Sequence, residues 1–366
     1  MLNQELNILN KKENKRNYGL DLLKIIAMIN VINLHINNHT LHLNLEPTNI
    51  KYKQILRLDS FSFWPVNAFG LISGIVGYRR FKLINLIYIW FEYCFYSVIL
   101  SLYLYNKSQI DKRNLFLSFF PLGINRHWYV NAYIFTYLFL PFITNTINSI
   151  NKNFFTKLVL IYFFLYSIYH IIIIVVFNIK QTNYDYINGG YSTLWLLILY
   201  IVGGFIGRFY INKYLISNLI FLSIYLISSL VTSEYIFYSI KLDKHPNKML
   251  LNYFSPTIII QALSLILFFS NLKIKNKYLL NVINFLNPLN FNVTLIHSRV
   301  FYFKVPLLLK FYKFINSLSP DYLFFKIYIS SIIIYFICAF FDYFRFLIFK
   351  IIKVKNLCYY IEKKLI

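Results

Sequence analysis

The chain has 366 residues, 58% of them hydrophobic, and a formal net charge of +24 at pH 7. Soluble domains carry about 45–50% apolar residues, so the composition excludes an ordinary soluble protein and indicates an integral membrane protein. The Lys and Arg residues lie in short clusters between apolar stretches, not in one patch or arm. They read as topology signals and contacts with anionic lipid head groups rather than as a nucleic-acid surface.

Residues 1–17 form a polar, basic tail without a small-residue cleavage site, so the apolar segment after it reads as a retained span, not a signal peptide. A span needs about 20 mainly apolar residues. On that measure the chain is an all-α bundle of about ten transmembrane helices, near 18–36, 61–78, 83–105, 126–144, 157–178, 192–211, 214–233, 252–271, 281–298 and 323–352. The ninth is broken by "NPLN", and 301–314 reads as a re-entrant or interfacial helix. The membrane domain is expected over 18–353, followed by a second basic tail over 354–366.

An even number of spans puts both termini on one side. That side is expected to be the cytoplasmic one, which then receives Lys11, Lys12, Lys15, Arg16, "RRFK", Lys152, Lys157, Arg208, Lys213, "KIKNK" and the C-terminal tail. Most acids then fall in the opposite loops, including Glu46, Asp59, Asp111, Asp185, Glu234, Asp243 and Asp321. Cys94, Cys338 and Cys358 suggest neither a disulfide framework nor a metal site.

In the first span, "KIIAMINVINLH" sets Lys24 and His35 at the two ends of an apolar run. Eleven residues of helix return to within about 20° of the start and advance about 16 Å, so the two share a stripe with Asp21, Met28 and Val31 on or near it. A lysine at a helix end snorkels readily to the head groups. His35 is costly in a bilayer unless it meets water, a partner or a ligand, and a structural role and a catalytic one both fit. His35, His39 and His42 have helical spacing, but no carboxylate or cysteine completes a metal site, and the Asn-rich stretch is expected to leave the helix. In "VNAFGLISGIVGYRR", Ser73, Gly74 and Gly77 suit close helix packing. Arg79, Arg80 and Lys82 follow as either topology determinants or a phosphate-binding set.

Glu92 is read as the only carboxylate deep in a span, a functional candidate that requires a cationic or hydrogen-bonding partner. Arg126, His127, Trp128 and Tyr129 open the fourth span, where an aromatic belt accounts for the tryptophan. His170 reads as a packed core residue. His297 sits one turn from Thr294 and next to Ser298, toward the outer end of the ninth span.

Taken together, "GLDLLKIIAMINVINLH", "VNAFGLISGIVGY", "WYVNAYIFTYLFLP", "YSTLWLLILYIVGGFIGR", "YFSPTIIIQALSLILFF" and "FNVTLIHS" resemble, in order and rough spacing, the acyltransferase 3 family of bacterial membrane O-acyltransferases. The resemblance runs over nearly the whole chain. It implies transfer of an acyl group, usually acetyl from cytosolic acetyl-CoA, to a hydroxyl of a surface polysaccharide or lipid-linked glycan, in the bacterial cytoplasmic membrane and without a metal. It maps the family's basic-x10-His pair onto Lys24 and His35, with Lys where Arg is commoner. The basic set after the second span maps onto Arg79, Arg80 and Lys82, and a loop aspartate onto Asp59. His35 is then the expected catalytic group, as base or acyl carrier. Lys24, Arg79, Arg80 and Lys82 become donor contacts, with Asp59, Ser73, Glu92, Trp128, Tyr129 and His297 as substrate or supporting residues. A glycan or lipid transporter and a catalytically inactive scaffold relative are the competing classes, and self-association is left open.

Overall fold

The computed structural model describes residues 16–41, 45–78, 81–123, 127–169, 171–173, 188–211, 217–243, 245–302 and 320–365. These are helical, with no strand among them. In chain order the helices are α1 Tyr18–Leu41, α2 Ile50–Ser62, α3 Pro65–Gly77, α4 Leu83–Asn106, α5 Lys112–Leu117, α6 Trp128–Leu138, α7 Leu140–Ser149 and α8 Lys152–Phe163. They continue with α9 Thr193–Phe209, α10 Asn218–Asp243, α11 Pro256–Ser270, α12 Lys277–Leu286, α13 Asn290–Tyr302, α14 Pro320–Ile351 and α15 Val354–Leu365.

Among the described residues, seven helical stretches are long and apolar enough to cross a membrane, and nine if each of two bent pairs counts as one span. The protein is therefore an all-α, multi-pass membrane protein. The segment expected at 192–211 is the shorter apolar helix α9. Large apolar side chains on the outside, such as Ile333, Phe340, Phe341 and Phe344 of α14, face the surroundings as a lipid-facing belt does.

Helix ends follow local chemistry. Asn49, Asp111, Asn151, Ser192 and Asn276 cap α2, α5, α8, α9 and α12, each accepting a backbone N–H in the first turn. Pro65 opens α3 and lacks the N–H that would bond the Phe61 carbonyl. That carbonyl accepts instead from the Trp64 indole at 3.1 Å and the Tyr225 hydroxyl at 2.8 Å, so the α2–α3 break leaves it satisfied. The fourth expected span bends by 60° between α6 and α7, next to Pro141, and the ninth bends by 51° at "NPLN" between α12 and α13.

Three expectations are corrected. First, α1 does not end at residue 36; it runs to Leu41, because the Asn-rich segment is anchored rather than solvated. Asn33 donates to Ser62 at 3.0 Å and Asn37 to Asp59 at 2.7 Å. Second, the second span begins at Ile50 as α2, ahead of the expected 61–78. Third, α10 extends to Asp243, past the expected 233, where Ile236 and Ile240 are buried against Tyr52 and Leu56 of α2. The tail expected over 354–366 is helical as α15, and Glu362 accepts the backbone N–H of Ile84 at 3.0 Å. The segment 303–319, with most of the expected 301–314 helix, lies outside the described residues.

Helices α3 and α9 run side by side in the same direction and meet through glycines. A Cβ on Gly74 would lie 2.1 Å from the Tyr200 carbonyl oxygen, and one on Gly203 would lie 2.1 Å from that of Leu71. Neither backbone has room to yield. Gly74→Ala and Gly203→Ala are each expected to cost about 1–3 kcal/mol through overpacking, read as a lower melting temperature in detergent. An unchanged melting temperature would contradict this close approach.

Helix α1 occupies the middle of the bundle, packed against α2, α3, α11, α12, α13 and α14.

Candidate functional site

The Lys24–His35 stripe of α1 faces α13. Asn290 donates to the Lys24 carbonyl at 3.0 Å, Thr294 to the Met28 sulfur at 3.3 Å, and the His297 and His35 rings lie 5.0 Å apart and tilted by 53°. The contacts ascend both helices together, so α1 and α13 run in the same direction at this seam. At its first turn, Asp21 accepts from Lys24 at 2.9 Å, Arg16 at 2.5 Å and Asn287 at 3.1 Å. Two cations share one carboxylate, which leaves this end of the stripe net positive.

Two more elements complete the surroundings. His127, just ahead of α6, brings Nδ1 to 3.0 Å from the Ser298 hydroxyl, and its ring meets Tyr93 edge-on at 5.6 Å. Ser298 also donates to the Thr294 carbonyl at 2.6 Å. The His297 Nδ1 lies 2.5 Å from the Val293 carbonyl, an acceptor, so the ring proton is assigned to Nδ1. On the far side, Tyr133 of α6 meets Phe291 at 6.5 Å and lies beside Ser73 of α3, while Tyr129 meets Phe69 at 6.3 Å.

α1, α13, α6 and α3 thus form a ring. Val31, His35, Thr294, Ser298, Tyr129, Tyr133, Phe69 and Ser73 line its inside, each only half-buried although neighbouring turns are closed. This partly open surface among the four helices is the candidate cleft. Trp128 lies against Tyr191 at 4.8 Å and is stacked with Tyr253 at 6.1 Å, forming an aromatic cap toward the end opposite Lys24.

Of the expected site residues, Lys24, His35, His297, Ser73, Trp128 and Tyr129 border this cleft or its mouth. Lys82 is exposed before α4, and its carbonyl accepts from Tyr137 at 3.0 Å. Arg79, Arg80, Arg126, His42 and His170, and the side chain of His39, lie outside the described residues. Among the described residues, no group of three or more His, Cys, Asp or Glu is placed to hold a metal.

Asp59 is not a loop residue: it is buried inside α2, held by Asn37, where the polar stretch "KYKQILRLDS" winds into a helix. Glu92 is not the only carboxylate at membrane depth, since Asp59 and Asp342 are buried as well. The partner Glu92 requires is Arg345, at 2.8 Å, with Asn292 donating at 3.0 Å. Arg345 also holds both Asp342 oxygens, at 2.9 and 2.7 Å, and Tyr96 donates to Asp342 at 2.6 Å. The pair Asp342-x-x-Arg345 in an apolar run was the available sequence signal. Nothing in the spacing marks His127 and Ser298 as neighbours.

These features define the class: a multi-pass α-helical membrane protein in which His35, His127 and His297 gather beside the candidate cleft among its helices. No family model, no curated protein and no solved structure matches the chain.

Proposed function

We propose that this chain is a membrane O-acyltransferase that moves an acyl group, acetyl first among the candidates, from acyl-CoA to a hydroxyl of a surface polysaccharide or lipid-linked glycan. The observation that carries the reading is one seam with two ends: a net positive mouth at Asp21, Lys24 and Arg16, and His35 beside His297 some three turns away on the cleft wall. Pyrophosphate and phosphate are suited to the mouth, and pantetheine is a narrow arm that spans about 16 Å of helix. The resemblance of the sequence segments to acyltransferase 3 proteins supports the same reading.

In this reading His35 accepts the proton of the acceptor hydroxyl as its oxygen attacks the thioester carbonyl. The carbon–sulfur bond breaks, the electron pair stays on sulfur, and the thiolate takes up a proton to leave as free CoA. Lys24, Lys82, Arg79 and Arg80 are donor contacts; Trp128 and Tyr129 offer aromatic faces to a sugar. Asp59 and Glu92 are support, holding α1 to α2 and α4 to α14, and Ser73 sits where α3 meets α6.

The membrane in this reading is the bacterial cytoplasmic membrane, with both termini inside. Support comes from one end of the bundle. Asn17 reaches the Ser270 carbonyl there, Arg208 binds the carbonyls of Ile147 and Ile150, and α15 meets the start of α4. In the sequence, the basic clusters at 79–82, 152–157, 208–213 and 273–277 stand next to these contact residues.

Lys24→Gln is expected to raise the KM for acetyl-CoA roughly tenfold, the loss of one charge-assisted contact, while Lys24→Arg holds it near the wild-type value. Initial rates against donor concentration check this, and an unchanged KM in Lys24→Gln rejects the donor role.

A further inference from the structure

We propose that Ser298 is a nucleophile that carries the acyl group as an ester between donor and acceptor, with His127 as its base. The inference rests on the acyltransferase reading and adds a covalent intermediate to it.

The argument is geometric. The 3.0 Å separation of the Ser298 hydroxyl and His127 Nδ1 lies within the reach of a nucleophile and its base. His127 is 8% exposed, whereas Ser298 keeps an open side toward the cleft. The base is shielded and the nucleophile is accessible. The Tyr93 ring holds the imidazole edge-on, and the Thr294 carbonyl holds the hydroxyl. A hydroxyl has one proton. With that proton on Thr294, His127 donates to the serine oxygen; in the reactive tautomer Nδ1 is bare and the hydroxyl proton turns toward it. Ser298 directly follows His297, whose ring meets His35, so an ester on Ser298 is carried by the turn of α13 that packs against the group activating the acceptor.

The two steps balance. In the first, the Ser298 proton passes to His127 Nδ1, the serine oxygen bonds to the thioester carbonyl carbon, and the carbon–sulfur bond breaks. The departing thiolate takes the Nδ1 proton and leaves as CoA. In the second, the acceptor hydroxyl gives its proton to His35, its oxygen attacks the ester carbonyl, and the serine oxygen leaves with its electron pair and takes up a proton as His35 gives one up, so both groups return to their starting state. The acyl group rests inside the bundle between the steps, so CoA and glycan need not occupy the cleft together.

The test is a trapping experiment on purified full-length protein. Wild type, Ser298→Ala, Ser298→Cys, His127→Gln and His35→Ala are incubated with radiolabelled acetyl-CoA without acceptor, denatured, digested and mapped. Wild type is expected to carry label on the Ser298 peptide as an ester stable to neutral hydroxylamine, and glycan is expected to chase it off. Ser298→Ala loses the label and lowers glycan transfer roughly a hundredfold or more. Ser298→Cys carries a hydroxylamine-labile thioester, which a purely structural serine would not give. His127→Gln acylates slowly; His35→Ala retains label that glycan does not release. Ser298→Ala transferring at the wild-type rate, or label on another residue, overturns the serine proposal and leaves single-step transfer at His35 standing. Wild type that neither takes label nor transfers it overturns both readings.

Discussion

His35→Ala is expected to lower acyl transfer to glycan by about 10²–10⁴-fold, the range for losing a positioned general base, with the KM for acetyl-CoA unchanged. The two effects separate because the groups do. Lys24 and its neighbours meet the donor phosphates at one end of the α1 seam, and His35 sits on the cleft wall beside His297. His35 is half-buried rather than locked in the core, so its truncation does not remove a packed layer. His35→Gln keeps hydrogen-bonding capacity without the ability to take a proton, and falls with the alanine variant. Initial rates across donor concentration, on protein shown to be monodisperse in detergent, give kcat and KM separately. A rate within threefold of wild type would remove His35 from the chemistry.

Arg345→Leu is expected to be the most destabilising single change, by about 3–5 kcal/mol, the cost of stranding buried charge when one partner is removed. Arg345 is 2% exposed and serves two buried carboxylates, Glu92 and Asp342. Its loss leaves both without a cation between α4 and α14. Removing a carboxylate has the opposite logic. Glu92→Gln deletes the surplus negative charge, keeps a hydrogen-bonding group for Asn292 and leaves the Asp342–Arg345 pair intact. It is expected to fall within about 1 kcal/mol of wild type, and Glu92→Gln combined with Arg345→Leu to be less damaged than Arg345→Leu alone. Thermal melts in one detergent order the four proteins. An Arg345→Leu variant melting with wild type would show that the network does not carry the α4–α14 contact.

The apolar runs made most of the spans legible in the sequence, and helical arithmetic put Lys24 and His35 on one face before any neighbour was known. What escaped was polar chemistry paired across elements. The stretch 50–62 reads as a loop because Lys51, Lys53, Arg57 and Asp59 dilute its hydropathy. It is helical because Asn33 and Asn37 of α1 supply partners for Ser62 and Asp59. The same asparagines keep α1 wound to Leu41. Glu92 was recognisable as needing a partner, but its cation is on the last long helix, and periodicity within one helix says nothing about which other helix it meets. In the sequence His127 stands only as part of the opening of the fourth span, and Ser298 only as the neighbour of His297. Their pairing depends on the bend at "NPLN", which aims α13 along α1 and past the start of α6.

The most direct measurement is transfer of label. Membranes bearing the chain are incubated with radiolabelled acetyl-CoA and host surface glycan, alongside membranes that lack it, and ester-linked label in the glycan is counted. The expected result is label that depends on the chain, is released by mild alkali, and accompanies stoichiometric formation of free CoA. Donor left intact by correctly folded protein, across acetyl and longer acyl-CoA and across the host's glycan fractions, would contradict acyl transfer and turn the candidate cleft toward transport or scaffolding.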